Sequence, residues 1–127
     1  MTSDKPQVAL QARYNMAIAR RRLGQRDAAY AAYKEAASEP SPVQGRAQLG
    51  LASMLADEGS NEEALDWLRL ASSSAHAGVR ARALLALGDF GAALGNPQIA
   101  RHYYTLAIDS ADPEISALAR NRMAGLR

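Results

Sequence analysis

ALLALGDFGAALGNPQIARHYYTLA, residues 83–107, decides the fold, because its small and large residues recur in fixed columns along the chain. Its Gly95 matches Gly59 and Gly24, spaced 36 and 35 residues apart. Five residues after each glycine stands an alanine, Ala29, Ala64 and Ala100. Then come Tyr33, Leu68 and Tyr104, followed by Ala36, Ala71 and Ala107. Upstream the columns read Ala12, Ala47, Ala83, Ala119 and Met16, Leu51, Leu87, Met123, the latter each followed by Ala17, Ala52, Gly88 or Ala124. A unit of about 36 residues in this register is a pair of helices that must stack on its neighbours, so the columns predict an all-α helical-repeat solenoid.

The units are expected at about 6–38, 42–73 and 77–110, with a capping helix at about 113–125, in one domain spanning 1–127. Val8, Ala12, Met16, Ala19 and Leu23 share one face of the first helix and are expected to point inward. Val43, Ala47, Leu51, Met54 and Leu55 do the same in the second unit, and Val79, Ala83, Leu87 and Phe90 in the third. Ser41, Pro42 and Gln44 suggest a capping box. Asn96-Pro97 and Asp112-Pro113 are cap-then-proline starts. No stretch alternates at period two, so no sheet is expected.

Composition narrows the function. At 127 residues with 48% hydrophobic content, the chain can bury roughly two-thirds of its unfolded surface and is not disordered. It has no cysteine, hence no disulfide, thiolate ligand or thiol nucleophile. The start from Met1 to Gln7 is polar and no long apolar run follows, so the chain reads as cytoplasmic without a membrane span. Arginine far outnumbers lysine, which occurs only at Lys5 and Lys34; with the abundant alanine this points to a GC-rich bacterial genome.

The pattern resembles the tetratricopeptide repeat family. The resemblance is carried by Tyr14-Asn15-Met16-Ala17, Leu23-Gly24, Ala29, Tyr33 and Ala36; by Leu51-Ala52, Gly59, Ala64, Leu68 and Ala71; and by Leu87-Gly88, Leu94-Gly95, Ala100, Tyr104 and Ala107. The longer period and Ala107-Ile108-Asp109-Ser110 before Asp112-Pro113 resemble an actinobacterial-type variant. The family's tryptophan column holds Arg13, Gln48 and Leu84 instead. The resemblance implies a right-handed superhelix of seven helices, three pairs and a capping helix, with each unit's first helix lining a concave groove.

On that geometry the groove columns are Tyr14, Leu49, Leu85 and Asn121; Asn15, Gly50, Ala86 and Arg122; Gln11, Arg46, Arg82 and Leu118; and Ile18, Ser53 and Asp89, with Arg21 at the rim. Arginines beside an apolar strip suit a protein segment that carries acidic groups, with Leu49 and Leu85 as the apolar anchors. Some family members clamp a chaperone's C-terminal carboxylate. Here the matching positions are Tyr14, Ile18, Gly50, Arg82 and Ala86, of which only Arg82 fits.

Catalysis finds no support. His76 and His102 are isolated, no metal-ligand spacing occurs, and no cofactor motif is present; Gly88, Gly91 and Gly95 lack the strand that a phosphate loop requires. The run Arg20-Arg21-Arg22 cannot present one basic face, because successive helical residues point about 100° apart. The leading expectation is a non-enzymatic protein-interaction module. Nucleic-acid contact through the arginine-rich first unit and self-association as a scaffold are the alternatives.

Overall fold

The computed structural model describes residues 5–126; residues 1–4, within the polar start, and residue 127 lie outside the described residues. Among the described residues there are seven α-helices and no strand: α1 (Lys5–Arg22), α2 (Arg26–Ser38), α3 (Gln44–Asp57), α4 (Asn61–Ala71), α5 (Ala77–Ala93), α6 (Pro97–Ile108) and α7 (Pro113–Ala124). This is the all-α helical-repeat class expected from the register. Contacts divide the chain into two compact units, Met1–Trp67 and Leu68–Arg127.

The repeated glycine is explained by one turn used three times. Gly24, Gly59 and Gly95 have φ of +76°, +82° and +74°, left-handed values that disfavour any side chain. At each, the glycine N–H and the next residue's N–H donate back into the helix: Gly24 to Arg21 and Gln25 to Arg20, Gly59 to Ala56 and Ser60 to Leu55, Gly95 to Ala92 and Asn96 to Gly91. These paired bonds form a Schellman motif. The residue after the glycine immediately opens the next helix. The carbonyls of Gln25, Ser60 and Asn96 accept from the N–H of Ala29, Ala64 and Ala100. The column five residues past the glycine is therefore the first turn of each second helix, and all three alanines are fully buried.

In the Met1–Trp67 unit, α2 packs against both α1 and α3. Val43, Ala47, Leu51, Met54 and Leu55 are all buried, as expected. The first helix differs. Val8 is 66% and Leu23 69% exposed, Ala12 and Ala19 are exposed, and Met16 is half-buried. The buried side instead carries Leu10 and Ala17, with Tyr14, Ile18 and Arg21 half-buried. The expected inward face of α1 is thus its outer face, because α1 packs on α2 through the opposite side.

In the Leu68–Arg127 unit, α6 packs between α5 and α7. Ala81, Leu85, Ala100, Tyr104, Ala107, Ile115 and Ala119 form its core cluster. A Cβ at Gly91 would come within 2.8 Å of the Ala100 nitrogen and one at Gly88 within 2.5 Å of the Tyr104 ring, so these two glycines of α5 serve close helix packing. The proline starts behave as read: Asn96 accepts from the Ile99 N–H, and Asp112 from those of Glu114 and Ile115.

The capping box at Ser41 does not form. α3 begins at Gln44, and the Gln44 side chain donates back to the Ala37 carbonyl at 3.4 Å, where Gln48 also donates at 3.3 Å. Those donors satisfy the open end of α2. The same column repeats the device with other chemistry: Arg80 donates to the Ser74 carbonyl at 2.8 Å, and Ser116 to that of Ile108 at 2.8 Å. Orphan carbonyls after each second helix are closed from the helix that follows.

Candidate interaction face

In the Met1–Trp67 unit, α1 and α3 carry most of the expected groove residues. Gln11 and Asn15, one helical turn apart, are exposed and joined by a Gln11 Nε2 to Asn15 Oδ1 hydrogen bond of 3.1 Å. Tyr14 is half-buried, its ring edge-on to Tyr33 with centroids 6.4 Å apart. The exposed Arg46 guanidinium lies 6.0 Å from the Tyr14 ring centroid, within cation–π range. It meets no carboxylate among the described residues. Leu49 and Ile18 are half-buried and Ser53 is exposed.

Toward the α1–α2 turn the face becomes charge-neutral. Arg21 donates to Asp57 Oδ2 at 2.7 Å and to Ser53 Oγ at 3.3 Å, so it is a tether between α1 and α3 and not a free rim charge. Arg26 makes a fork with both oxygens of Glu58, at 2.8 and 2.9 Å. That bidentate bond holds the Glu58 carboxyl below its usual range and raises the already high Arg26 value. These residues, with Gly24 and Met54, line a cleft of about 200 Å³. On the opposite, second-helix side, the Tyr30 hydroxyl donates to Glu63 at 2.6 Å, which pushes the phenol up.

In the Leu68–Arg127 unit the expected residues are engaged differently. Asp89 accepts from the Tyr104 hydroxyl at 2.6 Å and from Arg122 of α7, so one carboxylate joins α5, α6 and α7. Burial, then the bond to Asp89, holds the Tyr104 phenol far above its ordinary value. Leu85 is only 8% exposed and belongs to the core, which removes it as an exposed anchor. Arg82 and Asn121 are exposed.

A family model described as a tetratricopeptide repeat-like domain matches residues 1–127. The chain belongs to the tetratricopeptide repeat-like family. Domains of this family generally mediate protein–protein interaction and are typically non-enzymatic. Comparison with individual curated proteins gives no match. Among the described residues of this repeat domain, no group of His, Asp or Glu could hold a metal ion, and no helix is long and apolar enough to cross a membrane. His76 is exposed before α5, and His102 is exposed with its ring edge on Tyr103.

Sequence reasoning missed the tethers Arg21–Asp57, Arg26–Glu58, Tyr30–Glu63 and Asp89–Arg122. A signal was available for the charged pairs: opposite charges stand 36 residues apart at Arg21 and Asp57, one repeat period, and 32 and 33 apart at Arg26–Glu58 and Asp89–Arg122; the neutral Tyr30 gave none.

Proposed function

We propose that this chain is a non-enzymatic, cytoplasmic protein-interaction module that binds a protein segment on the faces of its unit-opening helices. The observation that carries this reading is Arg46. It lies over Tyr14, unpaired with any carboxylate among the described residues, beside the exposed Gln11–Asn15 amide pair. A guanidinium on an aromatic face offers its edge donors to a carboxylate, and the amide atoms not used in the Gln11–Asn15 bond, Gln11 Oε1 and Asn15 Nδ2, suit a peptide backbone. Tyr14, Ile18 and Leu49 supply the apolar contact, so the favoured segment carries an acidic residue next to an apolar side chain. Arg82 offers a second free cation one repeat on, in the same sequence column as Arg46.

The arginine tethers argue against a nucleic-acid surface. Arg21 and Arg26 are neutralised by Asp57 and Glu58, so they are not available to a row of phosphates.

Arg46→Glu combined with Arg82→Glu tests the reading. Affinity for a partner captured with the wild-type chain should fall, while the unfolding free energy stays within about 0.5 kcal/mol of parent, because exposed charges contribute little to stability. Unchanged affinity in the folded double variant sinks this face as the binding site.

A further inference from the structure

The outer face of α1 is the largest departure from the repeat's own pattern. The column Val43, Ala47, Leu51 is completely buried on α3, a helix that packs against α2. On α7, Ile115 and Ala119 of the same columns are buried against α6. On α1 the counterparts Val8 and Ala12 are exposed and Met16 is half-buried. Ala19, in the column where α3 buries Met54, is exposed as well, and Leu23 prolongs the stripe toward the turn. Among the described residues no helix covers this face.

The charges beside the stripe say what would. α1 contains no acidic residue. At about 100° per residue, Arg22 borders the stripe on one side and Arg20 on the other. Arg20 contacts only the neutral Gln25 side chain, and neither arginine meets a carboxylate among the described residues. Arg13, further round, is taken by Glu35 at 3.3 Å.

We propose that this face docks an amphipathic helix of a partner protein, with a small-residue apolar side bordered by acidic residues. The apolar requirement follows from the stripe itself, and α2 and α6, the helices packed against α3 and α7, bury the small residues Ala32, Ala36, Ala37 and Ala107. The acidic borders follow from Arg20 and Arg22. A second copy of this chain fits poorly as the occupant. The small faces of α2 and α6 are already occupied by α3 and α7, and Ala64, Leu68 and Ala71 of α4 are buried too.

The test uses the full chain and two stapled helical peptides with the same alanine–leucine face, one bordered by glutamates and one by lysines. Fluorescence anisotropy should show binding of the glutamate peptide, weakened by added salt, and none of the lysine peptide. Ala12→Glu, at an exposed helical position, should weaken binding about tenfold or more, as should Arg20→Glu with Arg22→Glu. Circular dichroism checks that each variant folds, and Leu23→Lys stands in if Ala12→Glu does not. Arg46→Glu with Arg82→Glu should leave this binding unchanged, which separates it from the face proposed above. Equal binding of both peptides, or full affinity in folded Ala12→Glu, overturns the proposal. So does concentration-dependent dimerisation of the chain that Ala12→Glu abolishes, since the occupant would then be a second copy.

Discussion

Tyr33 and Tyr104 occupy one column of the repeat, yet their rings rest on different helices. Tyr33 of α2 leans forward onto α3, where a Cβ on Gly50 would lie 2.6 Å from its ring. Tyr104 of α6 turns back onto α5, where a Cβ on Gly88 would lie 2.5 Å away. The glycines decide between the two seats. In the Met1–Trp67 unit the backward seat holds Ala17 and the forward seat is Gly50. In the Leu68–Arg127 unit the backward seat is Gly88 and the forward one holds Arg122. A missing methyl chooses where a large ring packs, since interiors are filled to crystal-like density. The choice has a chemical consequence. Turned back, the Tyr104 hydroxyl reaches Asp89, whose other oxygen takes Arg122. Tyr33, seated against Gly50 of α3, also meets the ring of Tyr14 of α1, which carries Arg46.

The largest effect should come from removing either ring. Tyr33 and Tyr104 are 3% and 2% exposed, and truncation to alanine should cost roughly 3–5 kcal/mol at each by chemical denaturation. Tyr104→Ala should be the worse, because it also strips a partner from Asp89. A cost at position 33 that exceeds that at 104 breaks the comparison.

Next in size are the seats. Gly88→Leu and Gly50→Leu should each destabilise by about 1–3 kcal/mol through overpacking. The sharper experiment exchanges seats. Ala17→Gly with Gly50→Ala opens the backward position and closes the forward one, and should recover stability relative to Gly50→Ala alone. Ring-current shifts of Tyr33 in NMR spectra report where the ring goes. No recovery means that the path of α2, and not the glycine, sets the ring's seat.

What was legible in the sequence is what a local segment determines. The Schellman turns at Gly24, Gly59 and Gly95, the buried alanines after them and the caps at Asn96 and Asp112 depend on a few consecutive residues. The apolar face of α3 was legible for the same reason. The face of α1 was not: periodicity shows that Val8, Ala12 and Met16 share a side, but burial depends on a neighbour. Gln44 carried a fitting capping pattern, yet the open Ala37 carbonyl offered its side chain another partner. In the candidate site, Gln11, Asn15 and Arg46 were legible from columns. The roles of Arg21, Leu85 and Asp89 were not, because each depends on how adjacent helices are set along their axes.

The hydroxyls should separate the units more gently. Tyr104→Phe removes a hydrogen bond to a charged group and should cost about 1.5–3 kcal/mol, whereas Tyr33→Phe, whose hydroxyl makes no bond to another described residue, should cost nearly nothing. Alkali adds a second readout. The folded Tyr104 phenol titrates above its ordinary 10.0, so its contribution is intact below that value and is lost as pH rises beyond it. Tyr104→Phe should flatten the fall in stability above about pH 10. An unaltered alkaline profile would remove the phenol from the account.

The smallest effect concerns the exposed fork between Arg26 and Glu58. Glu58 is held below its ordinary 4.5 by the hydrogen bonds from Arg26. A carboxyl depressed in the folded state contributes stability above its ordinary value and loses it as pH falls through the folded value. Arg26→Ala should therefore lower the stability of the Met1–Trp67 unit slightly at neutral pH, and the difference should vanish as pH falls through the folded-state value of Glu58. The acid-induced decline then becomes shallower. Trp67, the chain's one tryptophan, lies in that unit and gives the fluorescence signal. Salt should shrink the difference, because the pair is open to solvent. The Tyr104–Asp89 bond in the other unit, with a buried ring behind it, should resist the same salt. Equal salt sensitivity of Arg26→Ala and Tyr104→Phe would show that the two units are tied by the same kind of contact, and the contrast drawn from their tyrosines would stop at the rings.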